Sequence, residues 1–340
     1  VDASVDHGRL EFLDAVRGLA ALLVVLQHVL EGFPALRPFL TRFNLGAMGV
    51  AAFFLVSGFI IPFSLERAND LLRFWIGRFF RIWPLYLLTL FVVTAGVYLR
   101  FATPMPGYAE GVPRTTLVNL TTLQHLLRQP SAIGAYWTLS YETLFYAACS
   151  VLFLLRIVKR ADFFVPICTA LFVVKGAQGG SSFGFTLIFL AFATGMLVCR
   201  STFGEIPRRR AMIVGAIAAS AVLATVASHA GRLAIQVDGR ESALCDVVSY
   251  AAGYALFFTL YALRRGEFPR WLTYLGEISY SVYLVHGMLF AFRLPGGLEL
   301  HGVLIVGLTA LLAPLTYRFV EQPAVAFGRR VAKTRTRITA

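Results

Sequence analysis

Apolar residues in this chain run in long blocks. Ten such blocks stand out, at roughly 14–33, 45–64, 83–101, 135–155, 163–175, 183–199, 211–228, 243–263, 272–292 and 302–320. Most approach the ~20 apolar residues that a helix needs to cross about 30 Å of hydrocarbon, and the fifth is short. The pattern predicts an all-α, polytopic transmembrane helix bundle of about ten helices, forming one membrane domain over residues 1–340. A short N-terminus (1–13) and a basic tail (322–340) flank it, and the longest connection spans about 102–134. In that connection Pro104, Pro106 and Pro113 precede Leu117 to Leu127, whose interleaved polar residues predict a short amphipathic helix on the outer surface. Asn119-Leu120-Thr121 has the form of a glycosylation sequon. The first block carries little positive charge before it and no small-residue cleavage site after it, so it reads as a retained helix.

Composition sharpens this picture. Hydrophobic residues make up 58% of the chain and charged ones 14%, which excludes an ordinary soluble domain. The net charge of +13 does not mark nucleic-acid binding, because the basic residues fall between the apolar blocks. Twenty of the 31 Lys and Arg residues lie on the N-terminus, the even-numbered connections and the tail, eight lie on the opposite connections, and three sit in or beside spans. The excess of positive charge places both termini in the cytoplasm. Cys149, Cys168, Cys199 and Cys245 stand singly in apolar segments, with no metal-ligand spacing and no disulfide pattern.

The polar residues inside the blocks carry the chemistry. Ionisable side chains are costly in lipid, so they face protein or water and usually have a task. Arg17 and His28 lie eleven residues apart on one face of the first span, about 16 Å along its axis. One end of this stripe can hold an anion while the other reacts; a salt bridge and a core histidine are the bland alternative. Ser57-Gly58 in the second span lets a helix or a ligand come close. Arg78 and Arg81, just ahead of Pro84 in the first turn of the third span, form a seat for phosphates or serve as topology charges. In the fourth span Trp137 suits the outer interface, and Glu142 needs a cationic or protonated partner, with His28 at comparable depth. Ser279, Tyr283 and His286 share a face of the ninth span, and His286 reaches the depth of His28. Arg318 and Glu321 pair at the end of the tenth span, where Pro323 stops the helix.

Taken together these residues resemble the membrane-bound acyltransferase-3 family. Arg17 and His28 match its basic-x10-His hallmark, and Phe53 to Phe59 match its Phe-Phe-x-x-Ser-Gly-Phe segment. Arg78 to Tyr86 match Arg-x-x-Arg-Ile-x-Pro-x-Tyr, and Trp137 to Glu142 match Trp-Ser-Leu-x-x-Glu with Thr138 in place of serine. Gly276 to His286 match Gly-x-x-Ser-Tyr-x-x-Tyr-Leu-x-His, and Glu321 and Pro323 match the terminal motif. The resemblance implies a bacterial inner-membrane O-acyltransferase that moves an acetyl or other short acyl group from cytoplasmic acyl-CoA to a sugar hydroxyl of an exported or surface glycan. His28, Glu142 and His286 are then the catalytic candidates. Arg17, Arg78, Arg81, Ser57 and Tyr86 are candidates for acyl-CoA binding, and Trp137, Ser279 and Tyr283 for acceptor or supporting contacts. Acetyl-CoA enters as a substrate, with no metal. The expected partners are the donor, a glycan acceptor and the bilayer, with polysaccharide-assembly proteins or a second copy as further candidates. Intramembrane charge and many spans also suit a transporter of a polar solute or glycan precursor, though no pair of interrupted helices marks two halves. A non-catalytic scaffold in a polysaccharide-export complex is the third reading.

Overall fold

The structure, a computed structural model, describes residues 10–103, 111–178, 183–233, 243–292 and 298–338. Arg9, Pro104, Pro106, Arg240 and Arg293 lie outside the described residues. The helices are α1 (Glu11–Leu30), a single turn α2 (Arg37–Leu40), α3 (Leu45–Ala68), α4 (Leu71–Tyr98), α5 (Val112–Asn119), α6 (Trp137–Leu154) and α7 (Ala161–Gln178). They continue as α8 (Phe183–Thr202), α9 (Arg208–Leu233), α10 (Ala243–Ala262), α11 (Arg270–Glu277), α12 (Ser279–Leu289), α13 (Leu298–Thr316) and α14 (Gln322–Ile338). Each of the ten apolar blocks is helical. Eight helices among the described residues are long and apolar enough to cross a membrane. The other two segments are α6, which is studded with Thr138, Ser140, Glu142 and Thr143, and the broken pair α11/α12. Large apolar side chains such as Phe91, Leu154, Ile217, Leu223 and Leu311 point outward, as hydrocarbon-facing residues do.

Close backbone contact holds α1, α3, α8 and α11 together. A Cβ on Gly58 would stand 2.1 Å from the Phe192 carbonyl oxygen, and one on Gly195 would stand 2.1 Å from that of Leu55. The same reciprocity joins α1 to α11, where Gly18 faces Leu272 O and Gly276 faces Asp14 O. Without an apolar driving force between helices in lipid, such small-residue contacts gain the dispersion that fixes the pairs. α1 and α3 run antiparallel, and α4 and α12 run with α1. The bundle therefore has an arginine-rich end (Leu10, Arg67, Arg78) and a distal end (His28, Trp137, His286).

Four local expectations need correction. α4 begins at Leu71, where the Asp70 side chain accepts from the Arg73 N–H, so Pro84 lies inside the helix and Arg78 and Arg81 lie about two and three turns past its start. The ninth span breaks at Ile278, where Gly276 presses on the α1 backbone. Pro323 does not stop the tenth span. A π-helical turn at Tyr317–Glu321 precedes it, with Gln322 N–H donating to Tyr317 O, and Pro323 sits in the first turn of α14, where a missing N–H costs little. In the longest connection the helix is α5, ending at Asn119, and positive φ at Thr122 and Arg128 turns the chain where a helix was expected. Asn119 is fully buried: its amide donates to Thr115 O and Pro130 O and accepts from Ala132 N–H, so the sequon is closed to modification.

Candidate active site

The bundle encloses a chamber of about 1070 Å³, at the upper limit of ordinary ligand pockets. Arg17, Ser57, Arg78, Arg81 and Glu142 line it, as do Ser279 and Tyr283 at its inner end. These seven predicted residues, on α1, α3, α4, α6 and α12, thus come together. Tyr86 does not join them. It is fully buried, its hydroxyl donates to Asn119 O at 2.6 Å, and its ring packs on Tyr136. Trp137 packs at the distal end beside His125 and Tyr141.

The charges in the chamber are interlocked. Glu321, with no exposed side-chain surface, pairs with Arg81 and accepts from the Ser281 hydroxyl at 2.9 Å. It does not pair with Arg318, whose guanidinium lies over the Phe319 ring, because the π-helical turn carries Glu321 inward. Arg17 lies 3.6 Å from Asp14, with Glu142 and Glu321 also within electrostatic reach. Glu142 accepts from Tyr146 Oη at 2.5 Å. Arg78 donates to Ser64 Oγ at 2.9 Å, sits over the Phe74 and Tyr146 rings, and keeps a buried Nε without a partner.

The two histidines sit just beyond the chamber and do not line it. Tyr283 is the divider. Its hydroxyl donates to Ala135 O at 2.9 Å and lies 2.8 Å from Thr138 Oγ1, while its ring meets His286 edge-on at 5.6 Å. His286 is fully buried, and its Nδ1 donates to Val282 O at 3.0 Å. That bond fixes the tautomer, so Nε2 carries a lone pair, and it is buried without a partner. His28 stacks on His286 with ring centroids 5.6 Å apart.

The carboxylate that His28 meets is Glu31, at 3.1 Å, one turn along the same helix, whereas Glu142 is bonded to Tyr146. Glu31 also accepts from Gln27, whose own carbonyl oxygen accepts from the Leu45 N–H at the start of α3. Burial opposes ionisation of Glu31, but the bonds from His28 and Gln27 outweigh it and hold this carboxyl below its usual range. The i,i+3 spacing of His28 and Glu31 was the available sequence signal. Tyr146 carries the i,i+4 signal toward Glu142. Arg67 and Arg329, which also line the chamber, carry none.

Long apolar helices with their outward-facing aliphatic belt make this an integral membrane protein. It is, further, a membrane acyltransferase: the sequence profile described as an acyltransferase domain matches residues 10–318, and the chain belongs to that family, acyltransferase-3. It is 29% identical over 328 residues to "Acyltransferase MdmB" of Streptomyces mycarofaciens, covering 85% of this chain and 81% of that protein. It is 26% identical over 344 residues to "Nodulation protein 10" of Rhizobium leguminosarum bv. viciae, covering 92% of both. No solved structure matches the chain.

Proposed function

We propose that the protein transfers an acetyl or other short acyl group from cytoplasmic acyl-CoA to a hydroxyl of a sugar presented at the distal end, in a bacterial inner membrane with both termini cytoplasmic. The observation that carries this reading is the free, buried Nε2 of His286, stacked on His28 one turn beyond the chamber. An alcohol is a poor nucleophile toward a thioester until its proton is removed. The histidine pair takes that proton as the new C–O bond forms. The C–S bond breaks, and the thiolate of coenzyme A leaves and is protonated. Glu31 orients the His28 ring and stabilises the charge it acquires, as a carboxylate does behind a catalytic imidazole. Glu142 and Tyr146 serve the chamber side, where the thioester arm is held.

The test is thioester turnover in proteoliposomes with a sugar acceptor. His28→Ala and His286→Ala are each expected to lower kcat by about 10²–10⁴-fold while inserting normally. Wild-type kcat in both would overturn the assignment. Solute flux without release of free coenzyme A would favour a transporter instead.

A further inference from the structure

Five arginines line the chamber: Arg17, Arg67, Arg78, Arg81 and Arg329. They are not equivalent. Arg81 is committed to the buried carboxylate of Glu321, and Arg17 is flanked by Asp14. An anion docking on either must displace a carboxylate or share its cation. The other three form no ion pair with a carboxylate among the described residues. Arg67 lies in the last turn of α3 and is exposed, and Arg329 projects from α14 and is exposed. Arg78 bonds to the neutral hydroxyl of Ser64 and lies over the rings of Phe74 and Tyr146, the Tyr146 hydroxyl being the one that donates to Glu142, and its Nε is buried and unpartnered. Beside it Gly77 also lines the chamber, with nothing within 4 Å of where a Cβ would stand.

We propose that Arg67, Arg78 and Arg329 form the anion seat of the chamber, and that this seat takes the phosphates of the nucleotide end of the thioester donor, a role that Arg17 and Arg81 do not share. Planar guanidinium forks match phosphate oxygens two at a time, and three outside any ion pair suit a ligand carrying several phosphates. The seat depends on α14, which lies beyond the residues that the family profile matches. The proposal rests on coenzyme A being the donor. A lipid phosphate offers the same chemistry, so the test must separate the two.

Binding of free coenzyme A and of phosphate-free pantetheine is measured on the purified protein in nanodiscs of zwitterionic lipid, for wild type, Arg67→Gln and Arg329→Gln. Each substitution is expected to weaken coenzyme A about ten- to a hundredfold, the fold-change of one charge-assisted hydrogen bond. Pantetheine affinity stays within twofold, and the loss for coenzyme A shrinks at high salt. An equal loss for both ligands, or none for coenzyme A, overturns the seat. So does a loss that appears only when anionic lipid is added, which would make it a lipid site. Wild-type binding of coenzyme A without thioester turnover would instead remove the acyl-transfer reading and leave the seat standing.

Discussion

The Arg81–Glu321 pair gives a sharp quantitative prediction. Glu321 has no exposed side-chain surface, whereas Arg81 keeps 29% of its own. Removing one member of a buried ion pair costs about 3–5 kcal/mol, chiefly because the other charge is left without a partner. The two partners should therefore differ. Arg81→Gln leaves a buried carboxylate with the Ser281 hydroxyl and the more distant Arg17 to stabilise it and belongs toward the upper end of that range. Glu321→Gln leaves an arginine that water can still reach and belongs at or below the lower end. The double substitution Arg81→Gln/Glu321→Gln leaves two neutral amides that can bond to each other and to Ser281. It should cost about 1 kcal/mol, less than either single change. Unfolding of the detergent-solubilised protein, followed by intrinsic fluorescence, measures all three. Strictly additive losses, or a Glu321→Gln loss exceeding that of Arg81→Gln, would refute the reasoning. Glu321→Gln also releases Arg81 into the chamber, so affinity for coenzyme A should hold or rise in that variant despite its lower stability.

Gly58→Ala should destabilise the protein by about 1–3 kcal/mol, because the added methyl meets the Phe192 carbonyl; the same unfolding assay checks it, and a loss below 0.5 kcal/mol, roughly the scatter of an ordinary surface change, would argue against the contact. Tyr283→Phe keeps the ring contact with His286 but loses the bonds to Ala135 and Thr138. Free thiol should then be released from acyl-CoA without acceptor, several-fold above wild type, and unchanged background release would show that Tyr283 seals nothing. Glu31→Gln should lower kcat about tenfold with little change in donor KM, since it alters the partner of His28 and not the chamber; an unaltered kcat would leave Glu31 with a structural part only.

Much of the bundle was legible because lipid allows few solutions. A block of ~20 apolar residues becomes a helix, and an ionisable residue inside one faces protein. Hence Arg17, Ser57, Arg78, Glu142, Ser279 and Tyr283 could be singled out and do share a chamber. Pairings were harder to read. Glu142 and His28 lie at depths that invite a contact, but side-chain direction decides, and Tyr146 one turn along α6 takes the carboxylate instead. Proline misled twice, at Pro84 and Pro323, because a packed helix or a π-helical turn absorbs the missing donor. The course of α14 was hidden for the same reason: Arg329 reaches the chamber only because the chain stays helical past Pro323, and the sequence alone marks that arginine as one more basic tail residue.

The hydroxyl of Tyr283, between the distal imidazoles and the chamber, donates its proton to the Ala135 carbonyl, an acceptor with no proton of its own to pass on. If the acyl group crosses this partition while protons do not, each turnover discharges a proton into one aqueous phase and draws one from the other. One elementary positive charge then moves outward per cycle. An inside-negative potential opposes that movement by about 2.3 kcal/mol per 100 mV. Under the proposed reaction, acylation would accordingly run faster in de-energised vesicles than in energised ones, coupling acyl transfer to the electrical state of the membrane.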